Sequence, residues 1–389
     1  MSTKILVVDD EPDLELLITQ RFRRQIRDGR FDFLFAHNGV EALARLAEHP
    51  NVDLVLSDIN MPEMDGLTLL TRLPQTSNQL KAVMVSAYGD LQNIRTAMNR
   101  GAFDFVTKPI DFDDLEITIQ KTIDELVKIR DGLKARHELL AIRRELDVAR
   151  HIQESILPRD FGPKGPGGGC AIFAGMHPVT EVGGDFYDFF MIDDERLGVV
   201  LGDVAGKGIP AAIYMSLSRT LLRSTALQGL DPGECLRHAN RTLCAEGDSG
   251  LFVTAVYAIV NTRTGVVDYS TAGHYSPSVV RAAGTVETLP VAGGMVLGVE
   301  ATSRYDAAQA ALEPGDLMVL YSDGVTEAVN DREEFFGDDG LEAALRGTVG
   351  ADETAAVTAV VAGVRAFANG RQQSDDLTLV ALRRVGPPA

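Results

Sequence analysis

Cysteine is scarce in this sequence, and long apolar runs are missing. The three cysteines, Cys170, Cys235 and Cys244, are widely spaced and form no Cys-x-x-Cys pair, so neither a disulfide framework nor a structural zinc site is indicated. No stretch approaches the roughly 20 consecutive apolar residues that span a bilayer. These absences predict a cytoplasmic protein that is not inserted in a membrane.

Basic residues are also in the minority. The sequence has 37 Lys and Arg against 56 Asp and Glu, a formal net charge of -19. This excess of negative charge opposes binding to nucleic acid and to anionic membranes. It fits either a surface charged only for solubility or clustered carboxylates that bind a divalent cation. At 389 residues the chain exceeds what one hydrophobic core usually serves, so two domains and a connector are expected.

The first 110 residues alternate between short apolar runs and longer amphipathic segments. This pattern predicts five strands and an α/β domain with a parallel sheet. The predicted strands are 5–8, 31–35, 54–56, 82–85 and 103–106.

Polar residues follow these predicted strands: Asp9 and Asp10 the first, Asp58 the third, Ser86 the fourth and Lys108 the fifth. The carboxyl ends of parallel strands face one crevice, so these residues are expected to converge. The carboxylates would repel one another without a cation, and Mg²⁺ prefers such oxygen ligands. Asp58 can then act as a nucleophile toward a phosphoryl donor, while Lys108 neutralises the added charge and Ser86 donates a hydrogen bond to it.

These residues resemble the receiver domain of two-component systems over about residues 1–125. The motifs that carry the resemblance are Asp9-Asp10-Glu11, Asp58-Ile-Asn-Met-Pro-Glu-Met-Asp-Gly66, Ser86-Ala and Phe105-Val-Thr-Lys108-Pro109.

The receiver resemblance implies a flavodoxin-like fold and phosphorylation of Asp58 by a cognate histidine kinase. It also implies that Mg²⁺ is held by Asp10, Asp58 and the backbone carbonyl of Asn60, with Asp9 assisting. Phe105 would report phosphorylation by changing its rotamer. A cis peptide bond is expected before Pro109, since X-Pro bonds adopt cis at low cost.

Residues 115–156 contain no proline and one glycine, Gly132. Apolar residues recur there at a spacing close to seven, and the apolar stripe shifts by about one residue after Leu139. This predicts a long helix, with residues 126–157 as a coiled-coil linker that joins two chains in a homodimer. The alternative is a helix that only packs on one of the domains. The Pro- and Gly-rich residues 158–169 are expected to form a flexible loop.

The second domain is expected at residues 170–386, with an α+β or β-sandwich enzyme fold. Its acidic motifs place Asp185, Asp203, Asp323 and Asp375 at strand ends or turns, with glycines beside them. Glycine lets backbone approach closely, so the carbonyl of Val204 can add an oxygen ligand. Two Mn²⁺ or Mg²⁺ ions roughly 3.5–4 Å apart in such a site would support hydrolysis of phosphate monoesters.

These motifs resemble the PPM family of metal-dependent protein serine/threonine phosphatases, in its bacterial SpoIIE/RsbU-like branch, over about residues 145–385. The matching stretches are Leu146-Asp-Val-Ala-Arg-His-Ile-Gln-Glu-Ser-Ile-Leu-Pro158, Gly183-Gly-Asp185-Phe-Tyr-Asp188, Gly202-Asp203-Val-Ala-Gly-Lys-Gly208, Ser322-Asp323-Gly-Val-Thr326 and Ser374-Asp375-Asp376-Leu-Thr378.

The PPM resemblance implies a β-sandwich flanked by helices, in which Asp185 and Asp203 bind the metal pair and Asp203 bridges it. Asp323 and Asp375 would complete one metal's shell, although the doublet also allows Asp376. The implied substrate is a phosphorylated anti-sigma-factor antagonist.

The sequence departs from the PPM pattern at two positions. Thr180 stands where the eukaryotic branch has a phosphate-binding arginine, and Tyr275 stands where many relatives have asparagine. For the neighbouring His274, a role in holding the loop is favoured over a catalytic one.

Two other functions compete with the phosphatase interpretation. Gly183-Gly-Asp-Phe superficially resembles the signature of diguanylate cyclases, but its phenylalanine comes one residue early. The second is a non-catalytic scaffold or sigma-factor partner-switching adaptor with a vestigial phosphatase fold. Loss of a metal ligand would mark that class, and none of the four aspartates is missing.

Overall fold

The computed structural model describes residues 2–73, 80–87, 90–159, 168–246 and 250–386. The chain divides into two compact units, Met1–Ile142 and Arg143–Ala389. Most of the loop predicted at residues 158–169, namely 160–167, lies outside the described residues.

The first unit is built on a five-stranded parallel sheet with strand order β2-β1-β3-β4-β5. This confirms the predicted flavodoxin-like α/β fold, with each predicted strand within two residues of its observed ends. The strands are β1 (Thr3–Val8), β2 (Phe31–Ala36), β3 (Leu54–Asp58), β4 (Lys81–Ala87) and β5 (Asp104–Lys108). The helices are α1 (Pro12–Arg21), α2 (Arg23–Arg27), α3 (Gly39–Glu48), α4 (Gly66–Arg72), α5 (Leu91–Asn99) and the first part of α6 (Phe112–Ile156).

Strand β1 shows how the sheet is covered on both faces. Leu6 and Val8 belong to one buried cluster, whereas Ile5 and Val7 belong to another. Side chains alternate between the faces of a strand, so both faces of β1 are buried under helices. The almost unbroken apolar run of this strand has the same cause.

Helix α6 is continuous from Phe112 to Ile156, as the absence of proline predicted. Leu115 and Ile119 are buried in the core of the first unit, whereas six large apolar side chains from Leu133 onward are exposed. The exposed set is Leu133, Leu139, Leu140, Ile142, Val148 and Ile152. The boundary between the two units, after Ile142, falls close to the predicted shift of the apolar stripe. Across the described residues, no helix is both long enough and apolar enough to cross a membrane.

The second unit is a sandwich of two mainly antiparallel sheets, confirming the predicted α+β architecture. One sheet has the order β13-β10-β9-β8-β7, with β14 paired to β10, and the other has the order β12-β11-β15-β16-β6. The strands are β6 (Cys170–His177), β7 (Phe186–Met191), β8 (Arg196–Val204), β9 (Val253–Asn261), β10 (Val266–Ala272), β11 (Ser278–Val280), β12 (Val286–Thr288), β13 (Gly293–Gly294), β14 (Ala308–Ala311), β15 (Leu317–Tyr321) and β16 (Leu377–Arg384).

Helices flank the sandwich on both sides. Helices α7 (Ile209–Ala226) and α8 (Pro232–Glu246) contact the first sheet, and α11 (Glu353–Ala368) contacts the second, with α10 (Gly337–Arg346) packed on α11. The short α9 (Asp323–Thr326) follows β15. Met318 and Val380 of the second sheet share a buried cluster with residues of the first sheet, so the main core lies between the sheets.

Candidate functional site

The first candidate site lies at the carboxyl edge of the parallel sheet. Asp9, Asp10 and Asp58 each offer one carboxylate oxygen within 4.8 Å of the others. The Lys108 Nζ lies 2.9 Å from Asp9 Oδ2 and 2.7 Å from Asp58 Oδ2. Because β1, β3 and β5 run parallel, their ends bring these distant residues together.

The charges in this cluster oppose one another. Burial raises the pKa of Asp9, against the lowering effects of the Glu11 backbone hydrogen bond and of Lys108. Burial lowers the pKa of Lys108, but hydrogen bonds to Asp58 and Asp9 outweigh it, so the net shift is upward. Lys108 therefore stays protonated across the physiological range and offsets part of the carboxylate charge.

The remaining predicted receiver residues are Ser86, Asn60, Phe105 and Pro109. Ser86 is fully buried, and its Oγ has no hydrogen-bond partner within the described ranges. The Asn60 backbone N–H donates to Asp58 Oδ1 at 3.4 Å, which places this turn against the carboxylate. Phe105 is exposed on β5, and the Lys108-Pro109 peptide bond is cis, as the resemblance implied.

The second candidate site begins where β7 and β8 pair. Asp185 immediately precedes β7, Asp203 lies near the end of β8, and Phe186 is the register partner of Gly202. A Cβ on Gly184 would lie 2.8 Å from the Val204 carbonyl oxygen and 3.2 Å from Asp203 Oδ1. Only glycine lets the Asp185 loop approach these two oxygens so closely.

The other sheet supplies the remaining two carboxylates. Asp323 starts α9 directly after β15, and Asp375 lies just before β16, the strand paired with β15. The turn after β15 is fixed to the start of β16 by the Ser322 N–H, which donates to the Thr378 carbonyl oxygen at 3.0 Å. The sandwich thus carries one carboxylate pair on each sheet.

Burial and neighbouring carboxylates of this set raise the pKa of Asp185 and of Asp203. Burial, followed by the negative charge of Asp323, raises the pKa of Asp203 to about 7. Burial and then Asp203 raise the pKa of Asp185. Asp185 is 1% exposed, and its Oδ2 has no hydrogen-bond partner within the described part of the chain. A buried carboxylate oxygen without a donor is costly, so a cation at this position would be stabilising.

The second set of carboxylates is more widely spaced than the first. In the part of the chain that the structure describes, only the receiver trio has three carboxylate oxygens within 4.8 Å of one another. Asp375 is also contacted by a cation of the chain, since Lys207 Nζ lies 3.0 Å from its Oδ2 and donates to the Ser374 carbonyl oxygen at 2.6 Å.

The two adjacent residues Asp375 and Asp376 have different surroundings. Asp376 is buried, and its carboxylate accepts hydrogen bonds from the N–H groups of Val179 at 2.8 Å and Gly184 at 3.0 Å. The side chain of Asp375 is 41% exposed. Asp376 therefore fixes the loop that carries Asp185, and Asp375 is the member of the doublet with an accessible carboxylate.

Sequence reasoning missed Gln153 near the end of α6. Its Nε2 donates to the Gly183 carbonyl oxygen at 2.7 Å, and its Oε1 accepts from the Gly183 N–H at 3.1 Å. The residue lies in the Leu146–Pro158 stretch that the resemblance singled out, but a pairing with backbone 30 residues away has no local signal.

Sequence reasoning also missed an ion cluster around Asp188, three residues after Asp185. Asp188 is 1% exposed and is paired with Arg219 at 2.9 Å and Arg223 at 2.8 Å. Both arginines lie on α7, four residues apart, so they share one face of the helix. This cluster attaches α7 to the strand that follows Asp185.

The ring of His274 is held in place by two hydrogen bonds. Its Nε2 lies 3.1 Å from the Tyr321 carbonyl oxygen, which can only accept, so this nitrogen carries the hydrogen. Its Nδ1 then accepts from Thr254 Oγ1 at 2.8 Å. Burial lowers the pKa of His274 to about 4, so the ring is neutral. This geometry favours the loop-holding role over a catalytic one. Thr180 also serves its own loop, donating to the Val182 carbonyl oxygen at 2.7 Å.

Two family models match the chain. The response regulator receiver domain matches residues 5–120, and the Stage II sporulation protein E (SpoIIE) model matches residues 193–385. The chemotaxis protein CheY of Bacillus subtilis is 36% identical over 124 residues, which are 32% of this chain and 100% of CheY. The chain is a response regulator, with an N-terminal receiver domain and a C-terminal PP2C-type phosphatase domain of the SpoIIE family.

Two longer relatives share more of the chain. Protein IcfG of Synechocystis is 28% identical over 284 residues, covering 66% of this chain and 43% of IcfG. Phosphoserine phosphatase RsbU of Bacillus subtilis is 30% identical over 217 residues, covering 56% of this chain and 63% of RsbU. The chain thus spans less than two thirds of the length of either relative.

A solved structure agrees with the fold of the second unit. The SiaA-PP2C domain of Pseudomonas aeruginosa superposes with a TM-score of 0.57 at 23% identity, covering 63% of this chain and 98% of that domain.

Proposed function

We propose that a histidine kinase phosphorylates Asp58, and that the receiver thereby controls a metal-dependent phosphatase acting on phosphoserine or phosphothreonine of a regulatory protein. The substrate would be an anti-sigma-factor antagonist. The observation that carries the phosphatase is the buried Oδ2 of Asp185, which has no hydrogen-bond partner among the residues that the structure describes. Beside it, Gly184 has no side chain and leaves space next to the Val204 carbonyl and Asp203. The name of RsbU, a phosphoserine phosphatase, supports the choice of substrate class.

The residues of the second site fit divalent metal. Their donors are all oxygen, as Mn²⁺ and Mg²⁺ prefer. Burial first, and then the negative charge of a neighbouring carboxylate, raises the pKa of Asp185 and of Asp203. Asp185, Asp203, Asp323, Asp375 and the Val204 carbonyl would hold the ions. A bound pair would supply an activated water and stabilise charge on the transferring phosphoryl group. The wide spacing of these carboxylates suits two ions better than one.

Other residues of the second unit hold this set in place. Asp376 and Gln153 fix the loop before Asp185 through the backbone of Gly184 and Gly183. Lys207 fixes the segment of Asp375. Catalysis depends on such positioning, because a displacement of about 1 Å can lower a rate about 100-fold.

The residues of the receiver fit one Mg²⁺. Asp9, Asp10, Asp58 and the Asn60 carbonyl would hold it, since Lys108 brings a single positive charge to three clustered carboxylates. An Asp58 carboxylate oxygen attacks the phosphorus of the phosphohistidine, and the P–N bond breaks with the imidazole as leaving group. Lys108 pairs with the new phosphoryl oxygens. Ser86, whose Oγ has no partner among the described residues, donates a hydrogen bond to them.

Helix α6 would connect the two activities. Its exposed Leu133 and Leu140, seven residues apart, give an apolar stripe that a second copy of the helix can cover in a homodimer. A change at the receiver surface around Phe105 would alter the packing of the helix pair and reach Gly183 through Gln153.

Hydrolysis of p-nitrophenyl phosphate tests the phosphatase. The purified protein is expected to turn over this substrate with Mn²⁺, to lose activity with a chelator, and to lose it in Asp203→Ala. Absence of turnover with metal, even after treatment with an acyl-phosphate analogue, would favour the non-catalytic scaffold.

A further inference from the structure

A cavity of about 550 Å³ opens beside Asp323 in the second unit. Its wall is formed by the turn between β10 and β11, the end of β15, helix α9 and the first turn of α10. Its lining includes the side chains of Tyr275, Tyr321, Glu327 and Asp338. Because it shares Asp323 with the proposed metal site, it is placed to take residues next to a phosphorylated side chain.

Tyr275 gives this cavity an aromatic wall. Its ring stacks on Tyr321, with ring centroids 5.4 Å apart and an angle of 26° between the planes. Tyr275 is nevertheless 38% exposed. Tyr275 is also one of the two positions at which the sequence departs from the PPM pattern, and its place in the cavity wall gives that departure a function.

The cavity is strongly acidic. Asp323, Glu327 and Asp338 line it, no Lys or Arg lies among its described lining residues, and His274 is neutral. Within the described ranges, Glu327 and Asp338 form no ion pair. With Asp323 assigned to metal, two carboxylates remain uncompensated.

We propose that this cavity is a subsite for an arginine of the phosphoprotein substrate, close in sequence to the phosphorylated residue. The inference rests on the proposed phosphatase function and adds its specificity. A guanidinium can lie over the face of a tyrosine ring and pair with carboxylates at the same time, whereas an ammonium is a compact, strongly hydrated charge. Tyr275, Glu327 and Asp338 are the specificity-determining residues.

Matched phosphoserine peptides test the subsite. One residue near the phosphoserine is arginine in the first peptide, glutamine in the second and glutamate in the third, and this position is moved along the peptide. At the best position, kcat/KM is expected to be about fivefold to tenfold higher with arginine than with glutamine, and lowest with glutamate. Equal values for all three peptides at every position would overturn the subsite while leaving the phosphatase standing.

Substitutions in the cavity test whether its residues cause the preference for arginine. Asp338→Asn and Glu327→Gln should each reduce the arginine-to-glutamine ratio, Tyr275→Ala should reduce it without charge change, and Asp338→Lys should favour the glutamate peptide. The control is Asp339→Asn, a neighbouring acid on α10 that does not line the cavity and should keep the wild-type ratio. A ratio that falls equally in Asp339→Asn would assign the preference to overall charge and overturn the subsite.

Binding gives a readout that does not need turnover. Fluorescence anisotropy of labelled, unphosphorylated versions of the same peptides should show the same order, arginine first, and the order should vanish in Asp338→Lys. If no peptide is hydrolysed but this order holds, the proposed phosphatase fails and the cavity remains an arginine site. If neither hydrolysis nor binding depends on the arginine, the inference fails.

Discussion

The side-chain amide of Gln153 forms two hydrogen bonds with the backbone of Gly183, one to its carbonyl oxygen and one from its N–H. Gln153 is 5% exposed and lies in the last turn of α6, and Gly183 stands two residues before Asp185. The end of the long helix is therefore attached directly to the loop that carries a proposed metal ligand.

Gln153→Ala is expected to weaken this attachment. The loss of two buried hydrogen bonds should lower the free energy of unfolding by about 1–3 kcal/mol and reduce p-nitrophenyl phosphate turnover, because the Asp185 loop is less well fixed. Urea unfolding and steady-state kinetics measure both effects. The control is Glu154→Ala, an exposed neighbour. If the two variants have the same stability and activity, Gln153 does not position the loop.

Substitutions of Asp375 and Asp376 should have different effects, one on metal binding and the other on stability. Asp376→Asn puts an NH₂ group where a carboxylate oxygen accepts a backbone N–H, so the metal-free protein should lose about 1–3 kcal/mol of stability. Asp375→Asn should leave that stability almost unchanged and weaken Mn²⁺ binding, measured by calorimetric titration. The reverse pattern would make Asp376 the ligand.

His274 should give the metal-free protein an acid-dependent loss of stability. Its folded pKa, about 4, lies below the unfolded value near 6.5, so the unfolded state takes up the proton first. Its contribution is complete above about pH 6.5 and is lost as pH falls toward 4, by about 3 kcal/mol. Denaturant unfolding of wild type and His274→Gln in chelator measures this, and the difference between the two proteins should shrink over this window. A difference independent of pH would contradict a neutral, buried ring.

The exposed stripe of α6 should support a homodimer. A charge at Leu133 and Leu140 would be buried between two helices, so the Leu133→Asp, Leu140→Asp double variant is expected to be monomeric in analytical ultracentrifugation. It should also make phosphatase activity independent of Asp58 phosphorylation. Substitution of the exposed, charged Arg136 and Arg143 by Asp provides a control with the same substituent. A double leucine variant that stays dimeric and responsive would contradict the helix-pair model.

Much of the fold followed from apolar periodicity. Strand β1 is an almost unbroken apolar run because both of its faces are buried, and α6 is a helix free of proline. The convergence of Asp9, Asp58 and Lys108 follows from the common direction of parallel strands. Such features depend on local pattern and simple topology.

The contacts that fix the second site did not follow from the sequence. Asp375 and Asp376 are chemically identical, and only the N–H groups of Val179 and Gly184, far away in the chain, distinguish them. The pairing of Gln153 with Gly183 is likewise set by tertiary packing. Every residue except proline has the same backbone N–H and carbonyl groups, so a sequence motif cannot predict which backbone groups a side chain will bind.

Control of the phosphatase by Asp58 is tested most directly by phosphoserine-peptide hydrolysis with the full chain, before and after treatment with beryllofluoride, an acyl-phosphate analogue. In the presence of Mg²⁺ and Mn²⁺, the hydrolysis rate of the wild type should change on treatment. The rate of Asp58→Asn should stay constant. The control variant Asp13→Asn should respond like the wild type. Identical rates before and after treatment of a wild type shown to carry the analogue would contradict the account.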